Sequence, residues 1–198
     1  MTEAPIAFAA PHDAEELERA ELYGLLARLW LAPPDVELLE QFRVAVTQPP
    51  ERGGHLEAPW EALGAAMRAT GPTEAAAEHT ALFHGVGKPE VMAYGSYYLS
   101  GFLNEQPLAT LRADLAALGL TRDASALETE DHVAYVLEVM RYLIAGDDAA
   151  VCNLEQQRRF FRTHVQTWLG ALGLTIVLFV LARLIWRIGL RSYSGASA

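Results

Sequence analysis

Two short stretches of the sequence hold side chains that suit binding or proton chemistry. The first stretch contains Tyr94, Ser96, Tyr97 and Tyr98, and the second contains Glu128, Asp131 and His132. Tyrosine combines a rigid apolar ring with a polar tip, and carboxylates and imidazoles bind cations or transfer protons. The tyrosines are therefore interpreted either as core residues or as a recognition surface.

Asp131 and His132 are an adjacent acid–imidazole pair, which raises the question of a catalytic role. Neighbouring helical residues point about 100° apart, so these two side chains do not form a dyad with each other. Two interpretations remain open. Asp131 and His132 support the start of a helix, or both face a groove in which the carboxylate meets a cationic partner.

The glycine-rich run Gly85-Val86-Gly87-Lys88 resembles a phosphate loop only in part. Such a loop requires a glycine five positions before the second glycine and a hydroxyl after the lysine. Leu82 and Pro89 occupy those two positions, and no strand is predicted before the run. We interpret it as a turn.

Metal and thiol chemistry find little support in the sequence. His79 and His84 are five residues apart, which places them about 140° apart around one helix. Cys152 is the single cysteine, so neither an internal disulfide nor a cysteine-based zinc site is possible. We predict no metal and no cofactor.

The overall charge points away from nucleic acid. The 198 residues carry a formal net charge of -10, and Lys88 is the only lysine. Phosphate backbones attract basic proteins, whereas an acidic chain suits a basic partner. The N-terminus has no basic segment before an apolar run, so we predict a cytoplasmic protein without a secretory signal.

The apolar residues recur with helical spacing almost throughout, which predicts an all-α fold, an irregular single-domain bundle. Helices are predicted from Asp13 to about Leu31, about Asp35 to Val46, through Trp60 to Met67, from Gly71 to about Phe83, around Ser96 to Leu103, from Leu108 to Leu118, from Glu130 to Ala145 and from about Ala149 to Trp168. Thr129 is the predicted N-cap of the helix that starts at Glu130.

The segment from Val165 to Ala182 has no charged residue, and arginines follow at 183, 187 and 191. About 18 uncharged residues is the lower limit for a membrane span. The segment is either a final helix buried in the bundle or a membrane anchor with its basic end in the cytoplasm.

Four segments together resemble the TorD/DmsD/NarJ family of redox enzyme maturation chaperones. They are L-F-H-G-V-G-K-P-E at 82–90, A-Y-G-S-Y-Y-L at 93–99, P-L-A-T-L-R-A-D-L-A-A-L-G-L at 107–120, and E-T-E-D-H-V-A-Y-V-L-E-V-M-R-Y-L at 128–143. The resemblance spans about Leu17 to Trp168. Its most specific part is the spacing of the Y-x-S and E-x-x-D-H motifs.

The resemblance implies a TorD-like all-helical chaperone domain over 1–168. The apolar C-terminal helix and short tail predicted over 169–198 are atypical of the family, which usually continues with polar, amphipathic helices. It implies a cytoplasmic chaperone that binds the twin-arginine signal peptide, the body, or both, of a molybdenum-cofactor oxidoreductase. The client type would be formate dehydrogenase or a DMSO or TMAO reductase, and binding would support cofactor insertion before export. The partner is then the catalytic subunit that carries this signal.

Residue by residue, Tyr94 and Ser96 match Y-x-S, and Glu128, Asp131 and His132 match E-x-x-D-H. Together with Tyr97 and Tyr98, these are the predicted partner-binding residues. Ala93 and Thr129 replace prolines that are common in the family, without removing a functional group.

Two other functions remain as alternatives. One is a membrane-anchored assembly factor for a respiratory complex that uses Val165 to Ala182 for membrane contact. The other is a small helical enzyme with His132 as its base. The protein is expected to be a monomer or a domain-swapped homo-oligomer.

Overall fold

The apolar periodicity of the sequence is realised as α-helices. The computed structural model describes residues 11–45, 55–84, 89–171 and 173. Within these ranges the helices are α1 Pro11–Leu31, α2 Val36–Val44, α3 Glu57–Ala69, α4 Pro72–Phe83, α5 Gly95–Ser100, α6 Gln106–Ala117, α7 Val133–Ala145 and α8 Leu154–Phe160. A π-helical turn, Phe161–Val165, follows α8, and residues 166–171 are helical again. The described ranges contain no β-strand, so the predicted all-α fold is confirmed.

Several predicted features fall outside the described residues. They are the loop at 46–54, the turn at 85–88 and most of the apolar C-terminal run, from residue 174 onward.

Proline and glycine set several helix ends as the sequence predicts. Pro72 lies in the first turn of α4, where the Gly71 N–H donates to the Glu74 side chain at 3.0 Å. Gly119 adopts a φ of 72° after α6. This left-handed conformation suits glycine and lets the Leu120 N–H donate back to the Leu115 carbonyl at 2.9 Å.

Two predicted helix starts are wrong. Helix α7 begins at Val133, and its N-cap is His132 rather than Thr129. Residues 131–133 instead pair with residues 93–95, a distant segment of the chain. The predicted helix from Ala149 starts only at Leu154, because the Asn153 side chain accepts the Gln156 N–H and provides the N-cap.

Helix α1 contacts other helices on two sides. On one side, Tyr23 contacts the buried cluster that includes Met140 and Leu143, and Ala27 lies in the cluster with Val133. The order of contacts is reversed between the two helices, so α1 and α7 run antiparallel.

On another side, α1 contacts the α2–α3 pair. Leu25 and Leu29 pack against a cluster whose buried members include Leu39, Phe42 and Met67. Helix α1 thus contacts three apolar clusters, two on the side of α7 and one on the side of α2 and α3.

Candidate functional site

The two motifs predicted from the sequence meet through their backbones. An isolated antiparallel bridge joins Tyr94 to His132. The Gly95 N–H donates to the Asp131 carbonyl at 2.9 Å, and the Val133 N–H donates to the Ala93 carbonyl at 2.8 Å. This pairing fixes the start of α5 against the start of α7.

The Asp131 carboxylate completes the junction. One oxygen accepts the Ser96 N–H at 2.9 Å and the Ser96 hydroxyl at 2.5 Å. The other oxygen accepts the Thr129 hydroxyl at 2.6 Å. Ser96 is 0% and Asp131 is 4% exposed. We call these three residues the Asp131 network, and its hydrogen bonds satisfy a carboxylate that would be costly to bury alone.

Tyr94, Glu128 and His132 lie together beside this network. The Tyr94 hydroxyl donates to the Glu128 carboxylate, and the Tyr94 ring meets the His132 ring edge-on at 5.2 Å. Burial, and then the hydrogen bond to Glu128, raises the pKa of Tyr94. The phenol therefore stays protonated and acts as a hydrogen-bond donor.

His132 serves as a helix cap. Its Nδ1 accepts the Ala134 N–H at 3.2 Å, and the residue is buried. Burial lowers the pKa of His132 against the opposing effect of the Glu128 and Asp131 carboxylates. A neutral imidazole suits this position because a protonated ring has no acceptor nitrogen and would face the positive end of the α7 dipole.

Two arginines hold the loop between α6 and α7, and the sequence analysis missed both. The Glu130 carboxylate accepts Arg112 at 2.8 Å and lies 3.7 Å from Arg122. The hydrogen bond from Arg112 lowers the pKa of Glu130. Arg122 also donates to the carbonyls of Ala126 and Glu128, at 2.6 and 3.0 Å. These contacts position the Glu128 backbone.

Tyr97 and Tyr98 are both half-buried. Their rings meet at nearly a right angle with centroids 5.5 Å apart. Tyr98 also meets Trp168 edge-on at 5.9 Å. Tyr98 thereby connects α5 to the helical segment after the π turn.

An apolar groove of about 380 Å³ opens beside the Asp131 network. Helix α1 contributes one wall, with Arg19, Leu22, Tyr23, Leu26 and Trp30. These positions follow the spacing of a single helix face. The wall spans about 16 Å at 1.5 Å per residue.

The segment after α8 contributes a second face of the same kind. Its lining residues are Phe161, His164, Val165, Trp168 and Leu169. Val133, Val136 and Leu137 of α7 add a third. The groove is thus bounded on three sides by helical faces.

The predicted site residues divide into two sets around this groove. Ser96 and Asp131 line it, together with Gly95. Within the described ranges, Tyr94, Tyr97, Tyr98, Glu128 and His132 lie outside the lining. The sequence analysis missed the α1 wall and Trp168, although the spacing of the apolar residues on α1 was visible.

Among the described residues, no three His, Cys, Asp or Glu side chains lie close enough together to hold a metal ion. The rings of His79 and His84 have their centroids 5.5 Å apart.

In the described part of the chain, none of the helices has the length and hydropathy to cross a bilayer. The candidate anchor, Val165 to Ala182, lies mostly beyond the described residues.

The described residues thus form an all-helical fold in which the Asp131 network lies beside an apolar groove. The sequence model of the nitrate reductase delta subunit family matches residues 51–172. The chain belongs to this family, which is the NarJ/TorD family of chaperones. The resemblance stated from the sequence is therefore confirmed.

A relative described as "Chaperone protein TorD", from Aliivibrio fischeri (strain ATCC 700601 / ES114), is 28% identical over 168 residues. The match covers 76% of this chain and 78% of the relative. Family membership makes the protein a molybdoenzyme maturation chaperone and not an enzyme. The alternative with His132 as a catalytic base is thereby set aside.

Proposed function

We propose that this chaperone binds the twin-arginine signal peptide of a molybdoenzyme catalytic subunit in the cytoplasm, and that the apolar groove receives the apolar part of that peptide. The groove carries the proposal. Its walls are helical faces made mostly of leucine, valine and aromatic side chains, and its 380 Å³ lies within the range of about 300–1,000 Å³ typical of ligand sites.

The lining also favours one conformation of the ligand. An extended peptide needs partners for its backbone N–H and C=O groups, and unpaired buried groups cost about 1–3 kcal/mol each. The groove offers few polar atoms. A helix satisfies its own backbone, so the apolar segment is expected to bind as a helix of about three turns along α1.

The basic end of the peptide suits the acidic character of the chain, whose net charge is -10. Among the predicted site residues, Tyr94, Tyr97, Tyr98 and Glu128 are only half-buried. We assign the contacts with the basic end of the peptide to these four, and the contacts with its apolar part to the groove lining. The buried Ser96, Asp131 and His132 contribute by holding α5 and α7 at the edge of the groove.

A calorimetric titration tests the proposal. The probe is a synthetic peptide with two adjacent arginines followed by about twelve apolar residues. We expect saturable binding by the full chain, with weaker binding when both arginines are replaced by glutamine. No binding of either peptide would refute the function.

Matched variants locate the binding site. Leu22 and Leu99 line the groove, and Leu99 is 45% exposed, so its replacement spares the core. Leu22→Gln and Leu99→Gln should each weaken binding about fivefold, the loss of roughly 1 kcal/mol of apolar burial. The control is Leu127→Gln, since Leu127 is 93% exposed and lies outside the groove. Equal effects of all three substitutions would place the site elsewhere.

A further inference from the structure

The wall of the groove that begins with the π turn runs alongside α1 in the same direction. Phe161, at its start, packs against the buried cluster that Tyr23 also contacts, and Trp168 meets Trp30 edge-on at 5.8 Å. The last residue of this wall, Leu169, therefore lies at the Trp30 end of the groove. The chain that follows either leaves the groove there or turns back along it.

Two glycines follow this wall directly. A Cβ atom at Gly170 or at Gly173 would meet no atom within 4 Å, so close packing against the described residues does not require glycine at either position. Glycine weakens the interior of a helix and is common where a helix ends and the chain reverses. The two glycines therefore suit a turn shortly after residue 173.

The sequence beyond the glycines has apolar residues at alternating steps of four and three positions, the spacing of one helix face. These residues are Val177, Leu181, Leu184 and Ile188. Val177 and Ile188 are as far apart in the sequence as Arg19 and Trp30, the first and last residues of the α1 wall. A helix over either span is about 16 Å long. The C-terminal segment thus matches the α1 wall in length and in apolar character.

We propose that residues 176–191 of the same chain occupy the groove as a helix antiparallel to α1, and that a client peptide must displace them. The displacement rests on the proposed function, whereas the intramolecular contact does not. When Val177 lies level with Trp30, Leu181 lies level with Leu26. The apolar positions of the two helices then face each other along the whole wall.

Charge favours the same direction. In this alignment Arg191 lies level with Glu16, near the start of α1. Glu15 and Glu18 are exposed on the same turns, and Glu16 accepts Arg19 at 2.5 Å. The basic end of the segment thus meets an acidic part of α1. The other end of the groove, near Tyr94, stays open for the arginines of the client, so the two ligands compete only through their apolar parts.

Disulfide trapping in the full chain tests the contact. In a Cys152→Ser background, Leu26→Cys combined with Leu181→Cys should form a disulfide within one chain on mild oxidation, since such bonds need Cα atoms about 4.4–6.8 Å apart. Mass spectrometry of the digested protein identifies the linked peptides. The control combines Leu26→Cys with Phe179→Cys, which lies at nearly the same level on the opposite side of the helix and should not form the bond. An excess of the twin-arginine peptide should slow the first reaction.

Affinity for the twin-arginine peptide tests the competition. An occupied groove lowers the apparent affinity by the fraction of protein in which the groove is open. Replacing Leu181 and Leu184 together with glutamine weakens the internal contact, so this variant should bind the peptide about tenfold more tightly than the unsubstituted protein. The control replaces Ile176 and Leu190, on the other side of the helix, with glutamine and should leave the affinity unchanged.

The outcomes separate the two proposals. If the peptide binds but no disulfide forms and neither double variant changes the affinity, this inference is overturned and the proposed function stands. Equal effects of both double variants, as a membrane-binding segment would give, or a disulfide only between two chains, also overturn it. If the disulfide forms but no variant binds the peptide, the segment occupies the groove and the proposed function is overturned. If Leu26→Cys does not fold, the affinities of the two double variants decide by themselves.

Discussion

Replacing Asp131 with alanine removes the acceptor of three hydrogen bonds at once. Two of the donors, the N–H and the hydroxyl of Ser96, belong to a residue with 0% exposure. Water does not reach them in the folded protein, so both would lose their partner. The third donor is the hydroxyl of the half-buried Thr129, which can turn toward solvent.

The expected loss of stability follows from this count. A buried donor left without a partner costs about 1–3 kcal/mol, whereas a donor that regains water costs little. Two such donors in Ser96 give an expected loss of about 3–4 kcal/mol. Domains are typically stable by only about 5–15 kcal/mol, so the variant should unfold at a much lower denaturant concentration.

Guanidinium unfolding followed by circular dichroism at 222 nm measures the difference in the free energy of unfolding between Asp131→Ala and the unsubstituted protein. Asp123 supplies a matched control, because its carboxylate accepts the N–H of Ser125 at 2.7 Å and the hydroxyl of Ser125 at 2.5 Å. The donors are the same pair of groups, but Asp123 is exposed. Asp123→Ala should leave the midpoint unchanged. A loss below about 1 kcal/mol for Asp131→Ala would refute the assignment of a buried, essential acceptor.

Two further predictions concern the same region. Burial lowers the pKa of His132 and of His79 in the folded protein. Below about pH 6.5 the unfolded chain therefore binds protons that the folded protein does not. The free energy of unfolding should have its full contribution from these histidines above about pH 6.5 and should fall as the pH drops below it. His132→Asn keeps an N-cap acceptor but does not titrate in this range. Urea unfolding between about pH 7.5 and 5.5 should therefore show a smaller loss of stability for this variant than for the unsubstituted protein. An unchanged pH dependence would contradict the role of His132. Gly95→Ala places a Cβ 3.2 Å from the Trp168 ring, so we expect a loss of about 1–2 kcal/mol in the same unfolding assay and altered tryptophan fluorescence. An alanine variant with wild-type stability and spectrum would show that the contact is not tight.

The helical class and several boundaries were predictable because local rules govern them. Gly119 ends α6 through its own φ angle, and Pro72 starts α4 because its missing N–H is not needed there. Such signals act within a few residues of the chain. They are therefore visible in the sequence without knowledge of what packs against the helix.

The start of α7 was not predictable by the same rules. Thr129 followed by two acidic residues has the composition of a helix N-terminus. In the structure this segment pairs with residues 93–95, more than thirty positions earlier, and Thr129 donates to Asp131 instead. A long-range backbone pairing has no local signal, and it displaces the helix start to Val133.

The candidate site shows a similar division. The motif residues were found from their types and spacing, and the structure brings Tyr94, Ser96, Glu128, Asp131 and His132 together as a group. The burial of three of them depends on how α5 meets α7, which the sequence does not reveal. Their contact with a peptide stays a prediction. The groove depends on the relative placement of three helical faces, and for that reason it was not foreseen.

The antiparallel contact of α1 with α7 has a consequence for synthesis. Ala27 and Val133 belong to one cluster although about a hundred residues separate them. At about 5–20 residues per second, α7 leaves the ribosome roughly 5–20 s after α1. During that interval the side of α1 that packs on α7 has no final partner in the nascent chain, whereas the side that packs on α2 and α3 acquires its partners soon after synthesis. A member of a family of maturation chaperones therefore passes through its own period of exposure, and conditions that slow translation between α1 and α7 prolong it.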